Sequence, residues 1–258
     1  MFNWLFKKKS IIPQEHIDFQ FETYKWFIQN SGPDYFFVHT QLILPTRDFF
    51  PTVVNSAEAM ATQTMQTIKE QIGIVAWPSR LILQPEEIEP NINHNAIVQG
   101  IPQDPAGTFS INNGIALISY SSKITRDPVN LVATFAHELS HYLTYTYEQA
   151  PPDGWENWEY ATDITATIIG YGIFMANTAF NFKTNSCGWQ TSRFGYLSEY
   201  EHIYSLAIFL ALKDYSPKDV KPYLKQYLYK SLKRAFKEVK ASSQLQMLRD
   251  LNPKIKEC

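Results

Sequence analysis

The sequence predicts an α+β chain, in which a small N-terminal mixed β-sheet region (residues 11–121) precedes a mainly helical half (residues 122–258) within a single domain. Three observations predict it. Short runs rich in Val, Ile and aromatic residues, punctuated by Pro and Gly, are confined to the first half. From Asp127 onward, apolar residues recur at the spacing of helices. The composition is globular: 45% of residues are hydrophobic and 19% charged, far from the pattern of disordered chains. At 258 residues the chain can bury a sizeable core, and with 15% aromatic residues that core and any cleft should be aromatic-rich.

The elements follow in order. Residues 19–29 are amphipathic and read equally as helix or strand. Residues 35–44, rich in Phe, Val and Ile, predict a strand ending at Pro45. Asn55 caps a helix running to residue 71, with Glu58 three residues on as in a capping box. Residues 72–76, 81–84 and 96–99 predict short strands. Residues 85–95 and 102–107 are loops, and residues 115–120 form a strand leading into the next helix. That helix starts at Thr125-Arg126-Asp127-Pro128: Asp127 can cap it, and Pro128 suits the first helical position, where no N–H is needed. Leu131, Val132, Phe135, Leu139 and Leu143 then form its apolar stripe. It should end before Pro151-Pro152-Asp153-Gly154. Residues 164–177 read as one long buried helix with small residues at Ala166, Gly170, Gly172 and Ala176. Residues 223–240 read as an amphipathic helix with lysines on its outer side.

The most informative local pattern is His137-Glu138-Leu139-Ser140-His141. Residues four apart share a helix face, so the two imidazoles can bind one Zn²⁺ at about 2.0–2.1 Å. Glu138 lies about 100° around the helix, placed to take a proton from a water that such an ion acidifies. A catalytic zinc site needs a third protein ligand. The next segment, Trp155-Glu156-Asn157-Trp158-Glu159-Tyr160-Ala161-Thr162-Asp163, offers Glu159 and Asp163, which share a face if the stretch is helical. A carboxylate on the first turn of a buried helix needs a reason to be there. Coordination supplies one for Glu159, and acceptance of a ligand imidazole's second N–H supplies one for Asp163. The exchanged assignment, with Asp163 as ligand and Glu159 behind it, is the alternative. Glu156 and Asp153 also lie within reach, and read best as acidic residues complementing a helix start.

H-E-L-S-H followed by E-Y-A-T-D resembles the H-E-x-x-H…E-x-x-x-D arrangement of the gluzincin-type zinc metallopeptidases, the group that includes thermolysin. The likeness spans residues 137–163, and more loosely 114–121. It implies a zincin-like fold with one Zn²⁺ per chain held by His137, His141 and Glu159, Glu138 as general base, and Asp163 behind a histidine. It also implies a sheet-edge strand at residues 115–120 that binds a peptide or protein substrate by strand addition. The Pro-, Trp- and Glu-rich segment between His141 and Glu159 departs from the thermolysin pattern, and no thermolysin-like histidine motif follows. Through Gly195-Tyr196-Leu197-Ser198-Glu199 and Thr162-Asp163-Ile164-Thr165-Ala166, the chain looks more like a bacterial metallopeptidase-like family than a secreted protease.

Peptide hydrolysis also needs an oxyanion donor. Tyr196, at a loop-to-helix junction, ranks first and His202 second, with Tyr204 in the same run. His16, His39 and His94 have no ligand spacing. These readings make the chain a zinc-dependent hydrolase, a metallopeptidase. The alternative is a non-catalytic binding or regulatory protein on the same fold.

Charge and targeting signals bound the rest. The net charge is −2. From Lys213 to Cys258 there are 12 basic and 5 acidic side chains, a surplus of seven, which leaves −9 for the first 212 residues. No nucleic-acid motif accompanies the basic stretch, so it reads as a solvated face and no nucleic-acid partner is expected. The two cysteines, Cys187 and Cys258, form no C-x-x-C pair and fit reduced thiols of the cytoplasm. Residues 1–9 place an aromatic tip before three lysines, the reverse of a signal peptide, so export is not expected; the segment admits a weak peripheral contact with an anionic membrane.

Overall fold

A computed structural model describes residues 10–85, 106–185 and 197–253. Tyr196, His94, both cysteines, residues 1–9 and the strand expected at 96–99 lie outside them. In chain order the elements are α1 (Gln14–Ser31), α2 (Ala57–Gln71), β1 (Ser79–Leu83), β2 (Gly107–Asn112), β3 (Ile115–Tyr120), α3 (Pro128–Tyr145), α4 (Trp158–Ala166), α5 (Gly172–Asn185), α6 (Glu199–Leu212), α7 (Pro217–Val220), α8 (Gln226–Lys240) and α9 (Ser243–Arg249). Helix accounts for 64% of the structure, beside one small mixed sheet, so the α+β class holds.

The sheet has the order β1-β3-β2, with β1 parallel and β2 antiparallel to β3. β2 and β3 form a hairpin that sequence reading missed. Asn113 and Gly114 both take positive φ (49° and 77°), as a two-residue type I′ turn requires. The expectation that residues 115–120 form the sheet edge is therefore corrected. β3 is paired on both sides, and β2 is an edge strand whose second side carries no partner among the described residues.

Two expected strands are something else. Residues 35–39 wind into a π-helical turn closed by Thr40 N–H on the Tyr35 carbonyl (3.0 Å). Phe36 is fully buried there, and Lys213 Nζ donates to the carbonyls of Phe36 and Phe37 (2.9 Å each). The aromatic run thus packs into the core without a ladder. Residues 72–76 are the C-terminal cap of α2. Gly73 (φ 75°) lets Ile74 N–H reach the Lys69 carbonyl (2.9 Å) and Gly73 N–H the Glu70 carbonyl (3.2 Å), a Schellman closure. At the other end of α2, Ser56 and not Asn55 is the cap, its hydroxyl accepting from Ala59 N–H.

α3 begins as its sequence predicts: Asp127 accepts from the N–H groups of Val129 and Asn130, and Pro128 takes the first position. It is the central helix, packed against the sheet on one side and against α2, α4 and α5 on others, and residues 131–144 are buried throughout. The stretch 164–177 is not one helix. It is the end of α4, a π-helical turn at Thr167–Tyr171, and the start of α5, broken where Gly170 takes φ 106°. A Cβ there would stand 2.2 Å from the Gln41 carbonyl oxygen, and Ile43 N–H donates to the Gly170 carbonyl (3.1 Å). The break lets the 41–43 segment pass against the helix. α1 packs on α4, α6 and α9, so the first of the described helices joins the helical half. No helix among the described residues is long and apolar enough to cross a membrane.

Candidate metal centre

α3 and α4 lie side by side, which brings their polar faces together inside an apolar frame. His137 and His141, one turn apart on α3, turn their Nε2 atoms to within 3.1 Å of each other. Glu159, on the first turn of α4, places Oε2 3.4 Å from His137 Nε2 and 3.3 Å from His141 Nε2. The three atoms form a nearly equilateral triangle. Ligands about 2.05 Å from a tetrahedral ion stand roughly 3.3 Å apart, which is the spacing found. His137, His141 and Glu159 could therefore hold a metal ion. The chemistry of the donors agrees. Asp163 accepts from His137 Nδ1 (2.8 Å), so the neutral ring carries its proton there and presents a lone pair at Nε2. A lone pair, a carboxylate and a second imidazole nitrogen then converge on one point, an arrangement that a cation stabilises.

The two carboxylates take different positions. Glu159 faces both Nε2 atoms, whereas Asp163 takes the far side of His137 and is 3% exposed. Glu156 and Asp153 are exposed and stand outside the group. The two histidines are held from behind by different groups. Thr162 Oγ1 lies 3.2 Å from His141 Nδ1, a contact that sequence reading missed although Thr162 sits three residues after Glu159. Asp163 Oδ2 accepts from Leu197 N–H (3.2 Å). Phe109 of β2 stacks on the His141 ring (5.9 Å, 11°), and Trp158 meets it edge-on (4.6 Å). Trp158 is itself fixed by its Nε1–H on Thr144 Oγ1 (2.9 Å). Phe109 carried no signal as a site residue, because strand register brings it to the site and the hairpin went unread.

Glu138 is buried beside the group. β2 passes so close to it that a Cβ at Gly107 would stand 3.0 Å from Glu138 Oε1 and 2.7 Å from Thr134 Cγ2. Burial pushes the Glu138 carboxyl above its ordinary value, and the two histidines pull against that shift. Burial also works to lower the pKa of His137, but the bonds to Asp163 and Glu159 outweigh it and hold the value well above 6.5. Burial raises the pKa of Glu159, and its bonds to His137 and His141 then carry it far below the usual carboxylate range.

His202 is 1% exposed and turns Nε2 towards Asp163 Oδ2 (3.9 Å), which places it behind the His137–Asp163 pair and not over the ligand group. Tyr204 is buried and donates to Glu238 Oε1 (3.3 Å). No family model matches the chain, and neither a curated protein nor a solved structure matches it.

Proposed function

We propose that the protein is a zinc-dependent hydrolase, a metallopeptidase of the gluzincin type with one Zn²⁺ per chain. The observation that carries this reading is the His137–His141–Glu159 triangle, with edges of 3.1–3.4 Å, beside the buried Glu138 carboxylate. A zinc ion bound there would supply Lewis acidity, acidifying water and polarising a carbonyl group. Glu138 is the residue that would take the proton of the attacking water and return it to the leaving amine. Asp163 and Thr162 hold the two imidazoles in register. The outer side of β2, which has no partner among the described residues, would offer backbone N–H and C=O groups to an extended peptide.

The test is a set of three variants read for both metal and turnover. Glu138→Gln should keep zinc and lose at least about a hundredfold in turnover, whereas His137→Ala and Glu159→Ala should lose the metal. Full activity in Glu138→Gln would refute the mechanism. A wild-type protein that takes up no zinc when zinc is supplied would refute the metal centre. A second reading, a non-catalytic binding or regulatory protein, is favoured by His202, an expected oxyanion donor whose Nε2 faces Asp163 Oδ2 (3.9 Å). Zinc uptake by the wild type without hydrolysis of any peptide in a diverse library would select it.

A further inference from the structure

Asp163 can orient His137 only if Asp163 is itself held, and its second oxygen accepts from the backbone N–H of Leu197 (3.2 Å) and faces His202 Nε2 (3.9 Å). Leu197 lies two residues before α6, so the start of α6 determines where that N–H points. The start is fixed by a capping box: Ser198 N–H donates to Glu201 Oε2, and Glu201 N–H to Ser198 Oγ (3.4 Å). Capping boxes form at exposed helix ends and need no burial. Here Glu201 is 7% exposed. Its second oxygen, Oε1, accepts from the Tyr160 hydroxyl (2.7 Å) and pairs with His16 Nδ1 on α1. α1 holds the same residue again through Gln20 Nε2, which donates to the Glu201 carbonyl (3.0 Å). Tyr160 directly follows Glu159 in α4 and precedes Asp163 by three residues. Placing a carboxylate among this many partners away from water is more than helix capping requires.

We propose that Glu201 is a positioning residue for the metal centre. It acts on His137 through Ser198, Leu197 and Asp163, and on Glu159 through Tyr160. The inference rests on the proposed metal reading: α1, α4 and α6 meet at this carboxylate, and α4 carries both Glu159 and Asp163.

The test measures zinc affinity by competition with a chelating dye, and the visible absorption of the cobalt(II)-loaded protein as a signature of ligand geometry. Tyr160→Phe removes one hydrogen bond and keeps the ring, Glu201→Ala removes the hub, and Glu201→Gln retains volume and one acceptor. Leu232→Ala, in the buried face of α8, is the control for general loss of stability. We expect zinc affinity about tenfold weaker in Glu201→Ala, at the lower end of the effect of partners behind a ligand, and about threefold weaker in Tyr160→Phe. The cobalt spectrum should shift in both, and Glu201→Gln should recover most of the affinity. Wild-type affinity and spectrum in Tyr160→Phe, with Glu201→Ala no worse than Leu232→Ala, would overturn the proposal. If Glu201→Ala does not fold, an unchanged Tyr160→Phe alone overturns it. Failure of the wild type to bind either zinc or cobalt would instead overturn the metal centre itself.

Discussion

Replacing Asp163 by Asn isolates what the carboxylate behind His137 contributes. Both oxygens of Asp163 face donors, His137 Nδ1 at 2.8 Å and Leu197 N–H at 3.2 Å. An amide of the same shape has one acceptor and one donor, so in either orientation its NH₂ faces an N–H. If the amide oxygen serves Leu197, His137 must move its proton to Nε2, the atom that would bind the metal. If the oxygen serves His137, Leu197 N–H is left buried without an acceptor, at a cost of about 1–3 kcal/mol. Partners behind metal-bound imidazoles are worth roughly 10–100-fold in affinity, about 1.4–2.7 kcal/mol. Asp163→Asn should therefore weaken zinc by that factor, measured by dye competition at fixed pH and ionic strength. Its thermal midpoint in the presence of a strong chelator separates the affinity loss from general destabilisation. Thr162→Val, which removes a longer bond to His141 from a neutral group, should cost less, about two- to tenfold. Wild-type zinc affinity in Asp163→Asn, or a larger loss in Thr162→Val, would refute the reasoning.

Two further outcomes follow from pH and from the backbone. His137 is held well above 6.5 in the metal-free fold, so the stability it contributes is complete below that value and is lost as pH rises through the raised one. Glu159 is held below 4.5, so its contribution is present above 4.5 and lost as pH falls towards the lowered value. Zinc must displace the His137 proton, so affinity should rise with pH. The gap between thermal midpoints with zinc and with chelator should widen from about pH 5 to pH 9, and a constant gap would contradict the assignment. Gly170→Ala should destabilise by at least about 2 kcal/mol, since the new Cβ meets the Gln41 carbonyl at 2.2 Å on a backbone with φ 106°. Calorimetry should show a midpoint lower by about 4–8 °C, and a midpoint within about 1 °C of wild type would refute the steric account.

Features set by neighbours in sequence were legible in the sequence. Asp127 and Pro128 start α3 where their chemistry requires, and the four-residue spacing of His137 and His141 puts both imidazoles on one face of it. The same spacing aligns Glu159 with Asp163 once α4 is helical. The amphipathic face of α8 buries Leu228, Leu232, Ala235 and Val239. These follow from helical period and end-capping, which act over a few residues. The errors at residues 35–44 and 72–76 arose where strand-forming side chains were overridden, in one case by burial of Phe36 and in the other by a single glycine closing a helix. The missed hairpin was a reading failure, since Asn113-Gly114 is a local signal.

What only the tertiary structure decided is which groups meet. Sequence spacing left Glu159 and Asp163 exchangeable, because both lie on one helix face. The packing angle of α4 on α3 sends Glu159 to the Nε2 atoms and Asp163 to Nδ1. It also brought Phe109 onto His141, joined His16, Tyr160 and Glu201 across up to 185 residues of chain, and set His202 beside Asp163. Local propensity is a property of a few residues. The direction in which a buried side chain points is fixed by the whole set of elements packed around it, and that set exists only in the folded chain.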